Sequence, residues 1–403
     1  MSDQVPDRVV RLVLVKSSGE VVGELDTFAV ATPWLQEVAE IVTGVADHFK
    51  LEVTILRLIT TRVEGSTCLA TYLAEISDET KLDGIILHAS NTALPDSSKR
   101  LAYAAVGGPA ADLEWATELL QKHGEIVCSK QQIRTWNLSS IWRLDTEHKC
   151  YWLKVVPAFF THEPKVIEQL DDSRLPTLVG ASGNRFLMEN ISGVDLYDAR
   201  VDQMQVMITH LVKLQGQQVD HAEELVELGL QDWRTSAMFP KLKEVVNRNL
   251  DAFNSDEQLR LQSLLSGLPG RMAALDNSGI PYTLVHGDFH PGNWRGEGSQ
   301  LRILDWGDCF VGHPLLDFPG LLDRVEAPLR PGLKMHWCEQ WQQYYPDAKL
   351  DIASTLIEPI AALRHAWVYQ MFLDNIEPSE HVYHLTDPID CISRALVLAA
   401  AER

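Results

Sequence analysis

One polar stretch, HGDFHPGNWRGEGSQLRILDWGD at residues 286–308, gathers the side chains of this chain that are best suited to chemistry. Asp288 and Asn293 are separated by four residues, and Pro291 and Gly292 between them favour a tight turn. An aspartate at the start of such a loop can accept the proton of an attacking hydroxyl, and an asparagine one turn later can reach a metal ion. This spacing is typical of the catalytic loop of phosphoryl-transfer enzymes.

A second acidic position follows the segment LRILD, which predicts a short strand that ends at Asp305. A carboxylate at that strand end can hold the Mg²⁺ that bridges nucleotide phosphates. His286 is expected to brace the loop through hydrogen bonds, whereas no role is assigned to His290. Any single Asp or Asn is more often a turn residue, but the combination of loop, spacing and second strand end favours catalysis.

The motifs HGDFHPGN and ILDWGD resemble the Brenner-type and metal-binding motifs of the aminoglycoside phosphotransferase and choline kinase-like family of small-molecule kinases. The resemblance covers roughly residues 126–403. It implies a protein-kinase-like fold with ATP bound between two lobes. It also implies that Asp288 is the catalytic base and that Asn293 and Asp305 are the Mg²⁺ ligands.

If this resemblance holds, the upstream segment must supply a lysine for the nucleotide. Lys154 interrupts the apolar strand YWLKVVP and can pair with the α- and β-phosphates. The helix that follows, HEPKVIEQLDD, offers Glu163 and Glu168 as partners for that lysine, and we prefer Glu163. A strand lysine that faces water is the alternative interpretation of Lys154.

The segment RFLMENISG resembles the hinge of the same family, which implies that backbone groups of Met188, Glu189 and Ile191 contact adenine. A plain strand end is the alternative for each of these residues. The family also carries an aspartate like Asp317 that braces the loop, whereas Asp308 either touches the metal or caps a turn.

The turn TWNLSS departs from the family pattern because it contains no glycine. Phosphate would then be held by amides or hydroxyls of Asn137, Ser139 and Ser140. Weak nucleotide affinity, or a different phosphoryl donor, is compatible with this departure.

The phosphate acceptor is expected to be a small hydroxylated molecule rather than a peptide, because a helix-like segment begins soon after Asp305 and no long activation segment intervenes. Acidic residues in the C-terminal part could bind a cationic amino sugar, aminoglycoside or amino alcohol. They are Asp374, Glu377, Glu380 and Asp387. A solvated acidic face is the alternative interpretation of the same residues.

The charge of the whole chain is acidic, with 35 basic and 56 acidic side chains and a net charge of −21. This charge disfavours nucleic acid as a partner and fits either a cationic substrate or simple solubility. The six scattered cysteines indicate reduced thiols, and neither a secretory leader nor a membrane span is expected, so we predict a cytoplasmic protein. The sequence does not indicate an oligomeric state.

The order of elements predicts an α+β protein with a protein-kinase-like two-lobed fold, preceded by a small α/β domain. We expect a β-rich N-lobe at 126–192 and an α-rich C-lobe at 193–403 that carries the catalytic and metal loops. Residues 111–125 are expected to form a connecting helix. Residues 1–110 faintly resemble a Nudix-like fold without its glutamate box, and they are expected to be structural or to bind a partner.

Two other functions compete with that of a kinase. A nucleotide-binding regulatory module of the pseudokinase type would tolerate the loss of any one of Lys154, Asp288, Asn293 and Asp305, and all four are present. A metal-dependent phosphoesterase could use the HGDFH cluster, but it needs further ligands, and Trp294 stands where a histidine is expected after the GN pair.

Overall fold

The computed structural model describes residues 7–298 and 300–401, without the side chains of residues 351, 352 and 401. The described chain divides into two compact units. The first unit contains the chain up to Thr161, together with Leu178–Asn190 and Asn375–Tyr383. The second unit contains His162–Thr177, Ile191–Asp374 and the chain from His384 onward.

The first unit begins with a five-stranded sheet that mixes parallel and antiparallel pairing. The strands of this sheet are β1 (Asp7–Lys16), β2 (Val21–Glu24), β3 (Phe28–Val30), β4 (Thr54–Glu64) and β5 (Thr67–Ile76), and helix α1 (Ala39–Phe49) lies between β3 and β4 in the chain. The run VVRLVLV in β1 is apolar because both faces of this strand are covered. Val10, Leu12 and Leu14 join one core cluster with α1, and Val13 and Val15 join another.

A second, antiparallel sheet completes the first unit in the order β6-β7-β8-β10-β9. The strands of this sheet are β6 (Val127–Trp136), β7 (Ser139–Thr146), β8 (Cys150–Val155), β9 (Leu178–Ser182) and β10 (Arg185–Glu189), and helix α2 (Gly108–Lys122) precedes them in the chain. Ala116 and Leu120 of α2 share a core with Trp142, Leu144 and Leu153 of the sheet. The helix is therefore packed on the strands.

The second unit is mainly helical. In the described part of the chain its helices are α3 (Glu163–Leu170), α4 (Val201–Gln217), α5 (Ala222–Leu228), α6 (Thr235–Arg248), α7 (Ser255–Asp276), α8 (Phe318–Asp323), α9 (Arg330–Gln342), α10 (Leu350–Asn375) and α11 (Asp387–Ala401). None of the helices among the described residues is both long and apolar enough to cross a membrane.

Two small sheets of the second unit position the polar stretch at 286–308. One consists of β11 (Val194–Asp195), β14 (Trp294–Glu297) and β15 (Gln300–Ile303), and the other of β12 (Gln231–Asp232), β13 (Thr283–Val285) and β16 (Phe310–Gly312). The loop after β13 therefore starts from one sheet and ends at the other. The strand predicted to reach Asp305 ends at Ile303, because Asp305 adopts a φ of 60° that no strand accommodates.

The prediction that the chain contains both helices and sheets is confirmed, since the described chain contains four sheets as well as helices. The predicted boundaries near residues 110, 125 and 192 stay predictions.

A buried cluster of charges ties residues 375–383 into the first unit. Arg100 donates to Glu377 over 3.1 Å, and Arg57 Nε lies 3.9 Å from the same carboxylate. Glu380 is only 4% exposed, and burial together with the charge of Glu377 raises the pKa of Glu380 to about 8 against the opposing charge of Arg57. A carboxyl group in this position is protonated at neutral pH.

We expect Glu380→Gln to reduce the pH dependence of folding stability. The pKa of Glu380 is raised in the folded chain, so its contribution to stability is complete below the ordinary value of 4.5 and is lost as the pH rises to about 8. Glutamine has no such proton to lose. The fall in the free energy of unfolding between about pH 5 and about pH 8 should therefore be smaller by about 1–3 kcal/mol, measured by urea unfolding. Equal falls in the variant and the parent protein would contradict this expectation.

Candidate active site

The loop that follows β13, which we call the catalytic loop (286–293), is anchored by one buried carboxylate. Asp317 accepts hydrogen bonds from the backbone N–H groups of His286 (2.9 Å) and Gly287 (2.7 Å). Gln215 on α4 donates to the same carboxylate over 2.8 Å. Burial raises the pKa of Asp317 to about 7, while the two backbone hydrogen bonds oppose that rise. The brace expected of Asp317 is therefore present in the geometry.

Within the catalytic loop, two donors converge on one oxygen of Asp288. Asn293 Nδ2 donates to Asp288 Oδ2 over 3.0 Å, and His290 Nε2 lies 3.3 Å from the same oxygen. His290 Nδ1 accepts the N–H of Gly292 over 3.0 Å, so the proton of a neutral His290 is on Nε2 and points to Asp288. The side chain of Asp288 is 49% exposed, and the described contacts of its carboxylate engage Oδ2.

The charge state of Asp288 suits a base. Desolvation raises the pKa of this carboxyl, but the hydrogen bond from His290 and the electrostatic interactions with neighbouring histidines outweigh it. The pKa of Asp288 consequently lies well below its ordinary value, and the group is ionised at neutral pH.

The second loop, residues 304–308, which we call the metal loop, is tied directly to the catalytic loop. Leu304 N–H donates to the carbonyl of Asn293 over 2.8 Å, and His286 Nε2 donates to the carbonyl of Leu304 over 2.9 Å. His286 is fully buried, and burial lowers its pKa to about 4, so it stays neutral. The bracing role expected of His286 follows from these bonds.

The same loop is held from its other side by α3. Trp306 N–H donates to Glu163 Oε1 over 3.2 Å, and the Trp306 ring stands edge-on to His286 with ring centroids 4.6 Å apart. Glu163 is 1% exposed, whereas Glu168 is exposed on the same helix. Asp305, just before Trp306, is one of three described non-glycine residues with a positive φ. Such backbone strain is typical of functional sites.

The remaining nucleotide candidates are distributed over both units. Lys154 lies on β8 of the first unit, buried, with Nζ 5.9 Å from the centroid of the Phe186 ring. Met188 and Glu189 are on β10 of the same unit, and Lys149 donates to Glu189 over 3.0 Å. Ile191 belongs to the second unit, where its carbonyl accepts a hydrogen bond from the guanidinium of Arg295 over 2.8 Å. Pairing of Lys154 with Glu163 stays a prediction.

The glycine-free turn joins β6 to β7 in the first unit. Ser139 accepts the indole N–H of Trp136 over 3.1 Å, and Ser140 accepts that of Trp142 over 3.2 Å. Asn137 is fully buried, and neither its amide oxygen nor its amide nitrogen has a hydrogen-bond partner within the described residues.

The family model for the phosphotransferase enzyme family matches residues 138–350, which is just over half of the chain. The chain belongs to the phosphotransferase enzyme family. The relationship predicted from the HGDFHPGN and ILDWGD motifs is confirmed, and so is the prediction that the chain is a small-molecule kinase. Comparison with curated proteins finds no match.

Several solved structures of phosphotransferases are similar to this one. A macrolide 2'-phosphotransferase, MphH from Brachybacterium faecium, is 15% identical, with a TM-score of 0.47 over 67% of this chain and 97% of its own. An ethanolamine kinase from Plasmodium vivax is 11% identical, with a TM-score of 0.48 over 65% and 78%. A choline/ethanolamine kinase family protein from Mesorhizobium loti is 12% identical, with a TM-score of 0.46 over 67% and 92%.

The acidic residues expected to bind substrate in this phosphotransferase already have partners. Asp374 receives two hydrogen bonds from Arg248, at 2.6 and 2.8 Å, in the second unit. Glu377 and Glu380 belong to the buried cluster of the first unit, and His384 Nδ1 lies 3.2 Å from Asp387. A role of these carboxylates in substrate binding stays a prediction.

Sequence reasoning missed Arg364, which lies on α10 and reaches both loops of the site. Its guanidinium donates to the carbonyl of Gly287 over 3.3 Å and to that of Asp308 over 3.2 Å. One signal was available, because an arginine in the apolar helical segment IAALRHAW is typical of a buried and compensated charge.

We expect Asn137→Ala to leave the fold intact and to weaken nucleotide handling. The substitution removes a buried amide that has no partner within the described residues, so Tm should fall by no more than about 2 °C. Buried polar groups without partners often reflect a missing ligand, so the KM for ATP should rise about 3–10-fold. Asn184→Ala is the matched control, because the Asn184 amide donates to Val156 in the same unit and its loss should lower Tm without changing KM. An unchanged KM in Asn137→Ala would contradict the phosphate role.

Proposed function

We propose that this phosphotransferase moves the γ-phosphate of ATP to the hydroxyl of a small molecule, with Asp288 as the base. The proposal rests on one observation: Asn293 and His290 both contact Asp288 Oδ2, and the catalytic loop that carries these residues is hydrogen-bonded to the metal loop that carries Asp305. These residues bring a base and two metal-binding oxygens to adjacent loops, as phosphoryl transfer requires.

In the proposed reaction the acceptor hydroxyl donates its hydrogen bond to Asp288 Oδ1. The hydroxyl oxygen forms the new bond to the γ-phosphorus, its proton passes to Asp288, and the bond between the γ-phosphorus and the bridging oxygen breaks to release ADP. A carboxylate with a lowered pKa is a weak base, and this suits a loose transition state in which little charge develops on the attacking oxygen.

Asn293 and Asp305 fit a magnesium site by the chemistry of their donors. Asn293 Nδ2 donates to the carbonyl of Asp288 over 2.9 Å and to its carboxylate, so the amide oxygen faces away from both. Magnesium prefers oxygen ligands and is usually held by one or two protein oxygens together with phosphates and water. When bound, the ion neutralises charge on the phosphates. Within the described residues no group of three or more His, Cys, Asp or Glu side chains could hold a metal.

The nucleotide site is proposed on the protein-kinase-like plan that the resemblance of the HGDFHPGN and ILDWGD motifs implies. Lys154 would bind the α- and β-phosphates, and Glu163 would be its partner. Residues proposed to contact the rest of the nucleotide are Met188, Glu189 and Ile191 for adenine, and Asn137, Ser139 and Ser140 for phosphate.

The proposed acceptor is an amino sugar, an aminoglycoside or an amino alcohol. Helix α8 begins at Phe318, directly after Asp317, so the segment on which a peptide substrate docks in protein kinases has little room. The net charge of −21 favours the approach of a cationic molecule.

The phosphoesterase alternative loses support at the two histidines of HGDFH. His286 uses one ring nitrogen on the carbonyl of Leu304 and the other on the N–H of Asp288. His290 uses its nitrogens on Gly292 and Asp288. Both imidazoles are therefore engaged by the chain itself.

The function is tested with a panel of amino sugars, aminoglycosides and amino alcohols, using ATP or GTP as donor. Acceptor-dependent release of nucleoside diphosphate, which needs Mg²⁺ and yields a phosphorylated product by mass spectrometry, is the expected result. Cleavage of phosphomonoesters without nucleotide would favour the phosphoesterase, and nucleotide binding without turnover would favour the regulatory module.

Two substitutions should separate the base from the metal ligand. Asp288→Asn should lower kcat at least about 10³-fold and leave the Kd for ATP within about threefold, because the base acts on the acceptor. Asp305→Asn should weaken the binding of Mg²⁺ with ATP as well as turnover. Asp251→Asn, an exposed position of the same unit, serves as the control. Near-normal turnover in Asp288→Asn would refute its assignment.

A further inference from the structure

Arg364 is the one cation whose backbone contacts, among those described, join the catalytic loop to the metal loop. It lies on α10 and is 3% exposed. One terminal nitrogen donates to the carbonyl of Gly287, next to Asp288, and the other donates to the carbonyl of Asp308, three positions after Asp305. A single planar group thus bonds to both segments that carry the proposed chemistry.

The surroundings of Arg364 compensate its buried charge. The guanidinium carbon lies 3.8 Å from the centroid of the Phe310 ring and 5.5 Å from that of Trp233. Burial lowers the pKa of Arg364 to about 10, while the charges of Asp308, Asp317 and Asp288 oppose the fall, so the group stays protonated at neutral pH. Packing alone needs no cation here, since apolar side chains fill such space at lower desolvation cost.

The two loops touch at Gly287, where the backbone has a φ of 89°. A Cβ at this position would collide with the carbonyl oxygen of Asp308 and would lie 3.1 Å from the guanidinium of Arg364. Asp317 binds the N–H side of the same segment, and Arg364 binds its carbonyl side. The peptide that leads into Asp288 is therefore held from both sides.

We infer that Arg364 is a positioning residue, which fixes the distance between Asp288 and Asp305 by binding one backbone carbonyl from each loop. This inference rests on the proposed function. Arg364 lies beyond residues 138–350, so the match to the family does not assign it a role.

The test compares Arg364→Met, which keeps volume without charge, with Arg364→Lys, which keeps charge without the planar fork. Lys241→Met is the matched control, because Lys241 Nζ lies 4.3 Å from the centroid of the same Trp233 ring and donates to the carbonyl of Asp232. We expect kcat to fall about 30–100-fold in Arg364→Met and about tenfold in Arg364→Lys, with the KM for ATP within about threefold. In Lys241→Met, kcat should stay within about threefold of the parent.

Two further measurements keep the inference testable if Arg364→Met folds poorly. In Arg364→Lys, amide hydrogen exchange should accelerate about tenfold in peptides that cover the two loops and stay unchanged in α7. In Arg364→Gly, guanidinium ion at a few tens of millimolar should restore part of kcat, whereas methylammonium should not. A folded Arg364→Lys protein with parental exchange in both loops and kcat within about twofold would overturn the inference.

Failure of the inference is distinguishable from failure of the proposed function. The parent protein and Asp288→Asn are assayed first, and absence of acceptor-dependent ADP release from the parent would reject the function itself. The hydrogen-exchange comparison does not depend on turnover, so it still decides whether Arg364 holds the two loops. If the parent protein transfers phosphate and Arg364→Lys shows the same amide hydrogen exchange in both loops as the parent, only the positioning role is rejected.

Discussion

The active-site region of the second unit depends on one buried carboxylate, Asp317. Strand β13 ends at Val285, and the next two N–H groups leave the ladder in a place that water does not reach. Unpaired, each would cost about 1–3 kcal/mol, and Asp317 satisfies both at once. Because one rigid group binds two successive donors, it also fixes the direction in which the chain leaves the strand and therefore the place of Asp288.

Aromatic packing makes that direction rigid. In the catalytic loop, Asp288 and His290 are half-buried, whereas His286 and Phe289 are buried. Phe289 contacts Trp294 and Trp337, with ring centroids 4.9 and 5.7 Å apart, and His286 contacts Trp306. Such rings have few conformers, so their contacts limit movement of the backbone between them. The segment HGDFH therefore contains both the residues that pack the loop in place, His286 and Phe289, and the polar residues Asp288 and His290.

What could be predicted from the sequence was local. The residues between Asp288 and Asn293 sufficed to predict a tight turn at Pro291 and Gly292, and in the structure that turn brings the two side chains within hydrogen-bond distance. The predicted end of the strand, Asp305, lies two residues beyond its observed end at Ile303. The sequence does not reveal the positive φ of Asp305, because no residue pattern reliably indicates a positive φ in a non-glycine residue.

The contacts that escaped prediction join residues far apart in the chain. Arg364 binds a carbonyl 77 positions earlier, and Glu377 pairs with an arginine 277 positions earlier. Among the acidic side chains near the C-terminal end, Asp374 and Glu377 pair with arginines of the chain itself. Charge patterns in a sequence do not reveal which charges neutralise each other, because that depends on tertiary packing.

The acidic residues of the catalytic and metal loops affect which ligands these loops attract. Arg364 interacts electrostatically with Asp288, Asp308 and Asp317, and Asp305 adds a further carboxyl group on the metal loop, so acidic groups outnumber this cation. A triphosphate brought to these loops alone would be repelled. In the proposed reaction, a divalent ion held by Asn293 and Asp305 would supply positive charge that offsets this excess. Under the same proposal, a cationic acceptor would also gain from this excess, so one electrostatic property of these loops would serve both the metal and an amine-bearing substrate.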